Sequence, residues 1–393
     1  MANGDIKVLQ EDTGNYTEIV LTVSDVAIGG GGGGTSGHRV RYFDPFGTLI
    51  DTQYIADGEN ATAPTPPTLS LLTFYGWNHP GTNITRPEDI GGVYDTTDGK
   101  TYIYVQVNAL TGLQPTLYFQ KSTADEMTID WGDTTDNSTT STGNLNIQKT
   151  AAYAAAGNYT ITITCAGGYN LGQGSSATTL FGNYTSNNYT SIAYKVYFGA
   201  NTSLLNANLF YNYYGLDYVV ASSGLTGDIG SYAFAYCYSL VSLNLPSGMT
   251  GAIGASAFRS CYSLTSLTLP SGLTGAIGSY AVYYCYSLTS LTLPSGMTGD
   301  IGTSAFAYCH SLTSLTLPSG MTSIAATAFS NDTKADEYIF QSTTPPTAAD
   351  TTIFAAIQLW TKIYVPDANV NDYKTATNWT TYADYIYSIN DRP

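Results

Sequence analysis

Apolar and polar residues alternate with period two over much of the chain, in short runs bounded by Gly, Pro, Asn or Asp. That is the pattern of β-strands joined by turns. Residues 6–9 and 17–23 make two such runs around Asp12-Thr13-Gly14-Asn15, and residues 38–55 make a hairpin around Asp44-Pro45-Phe46-Gly47. Further strands are predicted at 101–107, 114–120, 127–133, 153–163 and 192–198. From about residue 209 the pattern changes to a longer period. Beyond residue 329 it breaks again, with strands predicted at 336–340 and 360–366. Val370, Tyr373, Ala376, Thr377, Trp379, Tyr382 and Ile386 then recur at helical spacing, which predicts a helix over 367–386.

The longer period is 24 residues, marked by Cys237, Cys261, Cys285 and Cys309. Leucines keep the same three places in each copy: Leu240/Leu243/Leu245, Leu264/Leu267/Leu269, Leu288/Leu291/Leu293 and Leu312/Leu315/Leu317. Within Leu-x-x-Leu-x-Leu the leucines point inward and Ser266 or Thr268 outward, a proline ends the strand, and Ile277 re-enters the core. A unit this short cannot bury its own apolar face, so it must stack on its neighbours as a leucine-rich solenoid. Subtracting 24 from Leu240 and Ile229 gives Leu216 and Leu205, so the phase runs backwards into degenerate coils.

Composition changes this picture in two ways. Only 11% of the residues are charged, against the usual quarter, so the surface is built of Thr, Ser, Asn, Gly and Tyr. The 34 tyrosines offer rigid contact area with a polar tip, suited to recognition, and are equally good strand formers. A net charge of −16 with unclustered basic residues excludes nucleic acid and anionic membrane as expected partners. No apolar run is long enough for a membrane span. The start, Met1-Ala-Asn-Gly-Asp-Ile-Lys-Val-Leu-Gln, lacks the shape of a signal peptide. Either a signal was trimmed or the protein uses none. The glycines at 29–34 read as a flexible tether; as a phosphate loop they lack the Lys-Ser/Thr that touches phosphate and magnesium.

The candidate chemistry is that of binding. His38, His79 and His310 fall in three different modules, and the metal, thiol and nucleophile motifs of enzymes are missing. No cofactor is expected, and no metal. A paired-carboxylate glycosidase remains as a further reading, because such pairs come from distant positions. Asp130, Asp133, Asp136 and Asn137 read as turn residues capping their own backbone, or as calcium ligands without the usual frame. The repeat cysteines, with Leu243, Leu267, Leu291 and Leu315, are predicted to form a buried structural ladder of free thiols. Beside that ladder stand Tyr238, Tyr262, Tyr286 and His310 in one column and Tyr236, Ser260, Tyr284 and Tyr308 in another. Stacked on coils roughly 4.8 Å apart, an outward column is a strip of rings for sugar faces or a protein edge. Equally, the rings pack on each other to cover the bend.

Several stretches resemble known families. The order Ile…Ala-Phe…Cys…Leu…Leu-x-Leu-Pro closely resembles BspA-type leucine-rich repeats, found on bacterial surfaces and in phage virion proteins, and the tail after residue 345 is similar to the cap that follows them. Gly47, Gly58, Pro64, Pro67, Phe74, Gly76 and Trp77 resemble the internalin-type B-repeat, a small β-grasp module. Asp130-Trp131-Gly132-Asp133 with Tyr153, Gly157 and Tyr159 resembles a PKD-type β-sandwich, with Thr134 in place of the family's Gly. These resemblances imply a mainly β, multidomain chain: an anchoring hairpin and hinge (1–37), a β-grasp module (38–82), a β-sandwich (83–168), a leucine-rich-repeat solenoid (169–345) and a C-terminal strand and helical cap (346–393). The N-terminal phrase is similar to the starts of phage fibre proteins. The expected function is therefore that of a non-enzymatic virion fibre or decoration protein. It would be held to virion structural proteins through residues 1–28 and would attach to a bacterial surface glycan or protein. Fibre proteins are commonly trimers, so the resemblance implies a homo-oligomer. The alternative is a secreted or cell-surface bacterial adhesin.

Overall fold

The computed structural model describes residues 6–12, 15–21, 37–84, 88–107, 114–172, 178–183 and 192–392. The glycine run and the tip of the first hairpin lie outside these residues. The chain divides into two units, Met1–Ser36 and Gly37–Pro393. In the first, Ile6–Asp12 pairs antiparallel with Asn15–Leu21, from Ile6 opposite Leu21 to Asp12 opposite Asn15.

The second unit is built on a parallel stack. Tyr218–Val220, Ser242–Asn244, Ser266–Thr268, Ser290–Thr292 and Ser314–Leu317 pair in order, with Leu243, Leu267, Leu291 and Leu315 in register. Pro246, Pro270, Pro294 and Pro318 end the strands, lacking the N–H that would continue the ladder. On the opposite side of each coil, single parallel bridges link Leu205, Ile229, Ile253, Ile277 and Ile301. The two rows enclose the core, and the degenerate coil expected at Leu205 and Leu216 takes its place there, both residues buried. This is a leucine-rich-repeat solenoid in a mainly β protein.

The stack does not stop at residue 345. Leu315, Tyr338, Ile363 and Ile386 continue one register through Glu337–Phe340, Lys362–Val365 and Ile386–Ser388. The boundary drawn at 345/346 therefore falls inside the stack, because the cap supplies its own apolar residues at the leucine positions. The helix expected over 367–386 is broken. An α-helix spans Val370–Thr375, with 3-10 turns at Asp367–Asn369 and Thr380–Tyr385. Ala376 is extended and Asn378 left-handed (φ 65°), so Trp379 turns back to donate from Nε1 to the Pro346 carbonyl at 2.8 Å. No described helix is long and apolar enough to cross a membrane.

At the other end the stack is continuous with a two-sheet unit. Met127–Asp130, Asp136–Thr139, Gly157–Cys165 and Thr101–Val107 form one sheet, and Thr116–Lys121, Gly143–Gln148 and Tyr169–Leu171 the other. Thr101–Val107 also pairs antiparallel with Ala193–Tyr197, which pairs parallel with Tyr218–Val220. The first of these two sheets thereby runs unbroken into the solenoid, in a sheet of 13 strands. One apolar core extends from Ile103 and Trp131 to Ile386, so the cut at 168/169 divides a shared core.

A four-stranded sheet has the order Leu49–Ile55, His38–Phe43, Glu88–Thr96, Leu72–Trp77. Glu88–Thr96 is its central strand, parallel to His38–Phe43 and antiparallel to Leu72–Trp77. The boundary expected at 82/83 therefore cuts the module, whose strands run on to Thr96. This strand also lies against the outer face of the solenoid strands, and that second covering is why it is buried at nearly every position. Gly91 makes the approach close. A Cβ there would sit 2.3 Å from Thr268 Oγ1 and 2.5 Å from Asn244 Cγ. Asn244 Nδ2 donates to the Asp44 carbonyl at 2.6 Å, Asn78 Nδ2 to Thr268 Oγ1 at 3.1 Å, and Ser223 Oγ to Asp95 Oδ2 at 2.6 Å. Asp89 takes the guanidinium of Arg41 at 2.7 Å, and Ser290 bonds to both. Ser242, Asn244, Ser266 and Thr268, which point away from the leucine core, are consequently buried.

Candidate functional site

The residues singled out beside the repeat cysteines come together on the bend that precedes each parallel strand. The bend is fixed from within. Cys237, Cys261, Cys285 and Cys309 are fully buried and unpaired. Each thiol donates to a carbonyl of the preceding coil, those of Phe210, Phe234, Phe258 and Val282, at 3.1–3.2 Å. Burial raises all four thiols well above their ordinary pKa, so they are packing groups. The column ends on other chemistry. Asp332 follows Cys309, its Oδ1 accepting from the Cys309 N–H at 2.8 Å and its Oδ2 from the Tyr338 hydroxyl at 2.9 Å. Burial raises its pKa well above the usual carboxylate range in spite of both bonds.

One residue after the thiols, Tyr214, Tyr238, Tyr262, Tyr286 and His310 form one stack. Successive ring centroids are 4.9, 4.7, 5.1 and 5.1 Å apart, with interplanar angles of 20° or less. This geometry corrects one part of the sequence reading. Face-to-face stacking occupies both faces of Tyr238, Tyr262 and Tyr286, so the column turns ring edges and hydroxyls outward, not faces for sugar rings. Burial first, and neighbouring tyrosines second, raise the pKa of Tyr238 and Tyr286.

One residue before the thiols, Tyr236, Tyr284 and Tyr308 stand edge-on or tilted to that column, at 6.2, 5.4 and 5.8 Å from Tyr238, Tyr286 and His310. Their backbones are left-handed (φ 64°, 62° and 62°), as is that of Ser260 (φ 60°), which is buried. A bulky residue is an outlier there. The degenerate coil carries Asn212 at the equivalent place (φ 65°), the residue type that adopts this region most easily.

The sequence reading missed the residues that complete the array. Tyr232 and Tyr280 are exposed, Tyr211 and Tyr283 half-buried. Arg259 lies over three rings, 5.5 Å from the centroids of Tyr236 and Tyr280 and 5.4 Å from Tyr283. A signal was available, since Arg259 is the sole charged residue between Asp228 and Asp300.

Asp130, Asp133 and Asn137 are engaged elsewhere. Asp130 Oδ1 accepts from the Gly132 N–H at 2.7 Å, Asp133 pairs with the buried Lys149 ammonium at 2.7 Å, and Asn137 accepts from Trp131 Nε1 at 2.7 Å. Burial pushes the pKa of Asp133 up, but its bonds to the Lys149 ammonium and Thr135 outweigh that and lower it. His38 faces Asp57 at 2.9 Å, far in sequence from His310 in the ring stack.

The family model described as BspA type Leucine rich repeat region matches residues 227–359, in 6 copies. Among solved structures, the chain is similar to a leucine-rich repeat protein from Bacteroides ovatus, with 22% identity, 53% of this chain and 53% of that one covered, and a TM-score of 0.37. It is also similar to a leucine-rich repeat protein of T. pallidum, with 27% identity, 37% and 64% covered and a TM-score of 0.26. A leucine-rich cell surface protein from Faecalibacterium prausnitzii matches with 18% identity, 52% and 81% covered and a TM-score of 0.21. The chain thus spans about half the length of the first of these. No curated protein matches it.

Proposed function

We propose that the protein is a non-enzymatic attachment protein that holds a bacterial surface, glycan or protein, through the ring-bearing bend of its solenoid. The observation that carries this reading is the division of the solenoid's outside into two faces. The strand face is occupied by the module of residues 37–96. The bend carries rings and hydroxyls in unbroken succession over consecutive coils, with Tyr214, Tyr232, Tyr280 and Tyr286 each more than a third exposed. Tyrosine arrays of low charge suit recognition of polar, uncharged surfaces.

Its place is proposed to be a phage virion, as a fibre or decoration protein anchored through residues 1–28. The hairpin Ile6–Leu21, a unit of its own, supports an anchoring role. The second reading is a bacterial cell-surface adhesin, which the matched repeat type supports equally. The test is binding of the labelled full chain to a panel of bacterial cells, read by flow cytometry. Wild type should bind a subset of strains. Tyr262→Ala with Tyr286→Ala should lose most of that signal while remaining folded, with cooperative unfolding at a somewhat lower midpoint. Unchanged binding by the double variant overturns the assignment to this face, and binding of no strain by wild type overturns the attachment reading. Peptides of the protein in purified virions, against peptides released by shaving cells with protease, separate the two locations.

A further inference from the structure

The structure assigns to Arg259 and the tyrosines around it, Tyr236, Tyr280 and Tyr283, a binding site for the carboxylate of an acidic sugar residue, within a surface polysaccharide lying along the bend. The inference rests on the proposed attachment role and deepens it.

The guanidinium is surrounded by rings. Three ring centroids lie 5.4–5.5 Å from Cζ, and cation–π attraction of this kind supplies no hydrogen-bond acceptor to the N–H donors. Among the described residues none of those donors meets a protein acceptor, and Nε is buried without a partner. Lys195 likewise lies over rings, those of Tyr104 and Tyr218, but three other buried or half-buried cations are ion-paired. Arg41 pairs with Asp89, Lys149 with Asp133, and Arg392 with Glu337. Arg259 is the one charged side chain between Asp228 and Asp300, and it has no ion-pair partner among the described residues. Nothing of opposite sign competes nearby in sequence, since residues 229–299 contain no carboxylate. The overall charge of −16 lies mostly elsewhere, and beyond about 8 Å it is largely screened at physiological salt.

An arginine with a free fork recognises a planar carboxylate in two parallel hydrogen bonds. The surroundings select a sugar over a peptide. Tyrosine hydroxyls and ring edges flank the site on both sides, with no second charge to pair with an acidic peptide's neighbours. The stack beside it repeats every 4.7–5.1 Å, close to the length of one pyranose in an extended glycan. A glycan running across the coils therefore meets equivalent hydroxyls at each step and the guanidinium once, at the coil of Arg259.

The test uses the full chain and oligogalacturonate, oligoalginate and hyaluronan fragments, each beside its carboxyl-reduced counterpart and beside an oligoglutamate peptide. Wild type should bind at least one acidic fragment, and carboxyl reduction should weaken that binding at least tenfold. Arg259→Ala should do the same, with Arg259→Lys falling between because it keeps the charge and loses the fork. Equal binding before and after reduction overturns the site, as does wild-type affinity in Arg259→Ala or oligoglutamate bound as tightly as the sugar. The reduction arm needs no variant, so a folding defect in Arg259→Ala leaves the test intact. Cell binding by wild type is measured in parallel: cells bound equally by wild type and Arg259→Ala, with no acidic fragment bound, defeat this site and leave the attachment role standing, whereas no cell binding defeats that role.

Discussion

The docking of residues 37–96 onto the solenoid makes a sharp prediction at Gly91. Replacing it with Ala introduces a Cβ at 2.3 Å from Thr268 Oγ1 and 2.5–2.7 Å from the Asn244 amide, separations that no real Cβ holds. Neither neighbour can swing aside freely. Thr268 Oγ1 donates to Asn244 Oδ1 at 2.7 Å and accepts from Asn78 at 3.1 Å, and Asn244 Nδ2 donates to the Asp44 carbonyl at 2.6 Å. Relief therefore requires the strand to lift, breaking about three buried hydrogen bonds at about 1 kcal/mol net each. Overpacking of a tight contact costs a similar 1–3 kcal/mol, so Gly91→Ala should destabilise by about 3 kcal/mol. Denaturant unfolding measures the loss, and hydrogen exchange should show lost protection in Glu88–Thr96 and Ser242–Thr268 together. In a background of Asn244→Ala and Thr268→Ala the same change should cost about 1 kcal/mol less or better, a coupling of the size contacting residues show. A shift within about 0.5 kcal/mol, the range of ordinary surface substitutions, with exchange unchanged would refute the docking.

Two further outcomes follow from the core. Leu267, 1% exposed between Leu243 and Leu291 in register, should cost about 2–5 kcal/mol on substitution by Ala, and an unfolding midpoint equal to wild type would contradict the ladder. Asp332 is buried with its pKa raised from an ordinary 3.8. Its contribution is therefore fully present below pH 3.8 and is lost as pH rises through the raised folded value. Asp332→Asn, which cannot ionise, should gain on wild type from acid to neutral pH in denaturant titrations; a difference that does not vary with pH would sink this account.

The parts of the fold legible in the sequence are those where one face is buried and one is not. The leucine and cysteine columns repeat 24 residues apart, and no other arrangement buries them. Glu88–Thr96 was illegible for the opposite reason: covered on both faces, it has no alternation, and the sequence reading counts it with the β-sandwich. The docked face was equally silent. Ser266 and Thr268 under the module are the same residue types as Ser314 and Thr316, which stay partly exposed. Asn244, standing where Thr268, Thr292 and Thr316 recur, was the one departure, and it bonds to the module. At the candidate site the ring columns were visible as positions, but their orientation was not. A left-handed φ at Tyr236, Tyr284 and Tyr308 leaves no trace in residue type, and Arg259 interrupts no motif.

Those left-handed tyrosines bear on how the surface could work. Each costs roughly 1–2 kcal/mol of backbone strain relative to an ordinary conformation, and Asn208, Asn212 and Asn331 show the less strained choice within the same stack. Ring contacts offset the cost. Tyr284 meets Tyr283 at 4.0 Å, Tyr308 at 4.7 Å and Tyr286 at 5.4 Å, and aromatic pairs contribute about 0.5–1.5 kcal/mol each beyond area burial. The array therefore supports itself without a ligand. A ring surface already locked by its neighbours loses little side-chain freedom when something binds, and that saving, at about 0.5–1.5 kcal/mol per immobilised side chain, accrues over every coil a long glycan crosses. A repeated polymer of the kind proposed would gain from it at each step, whereas a compact ligand would gain once.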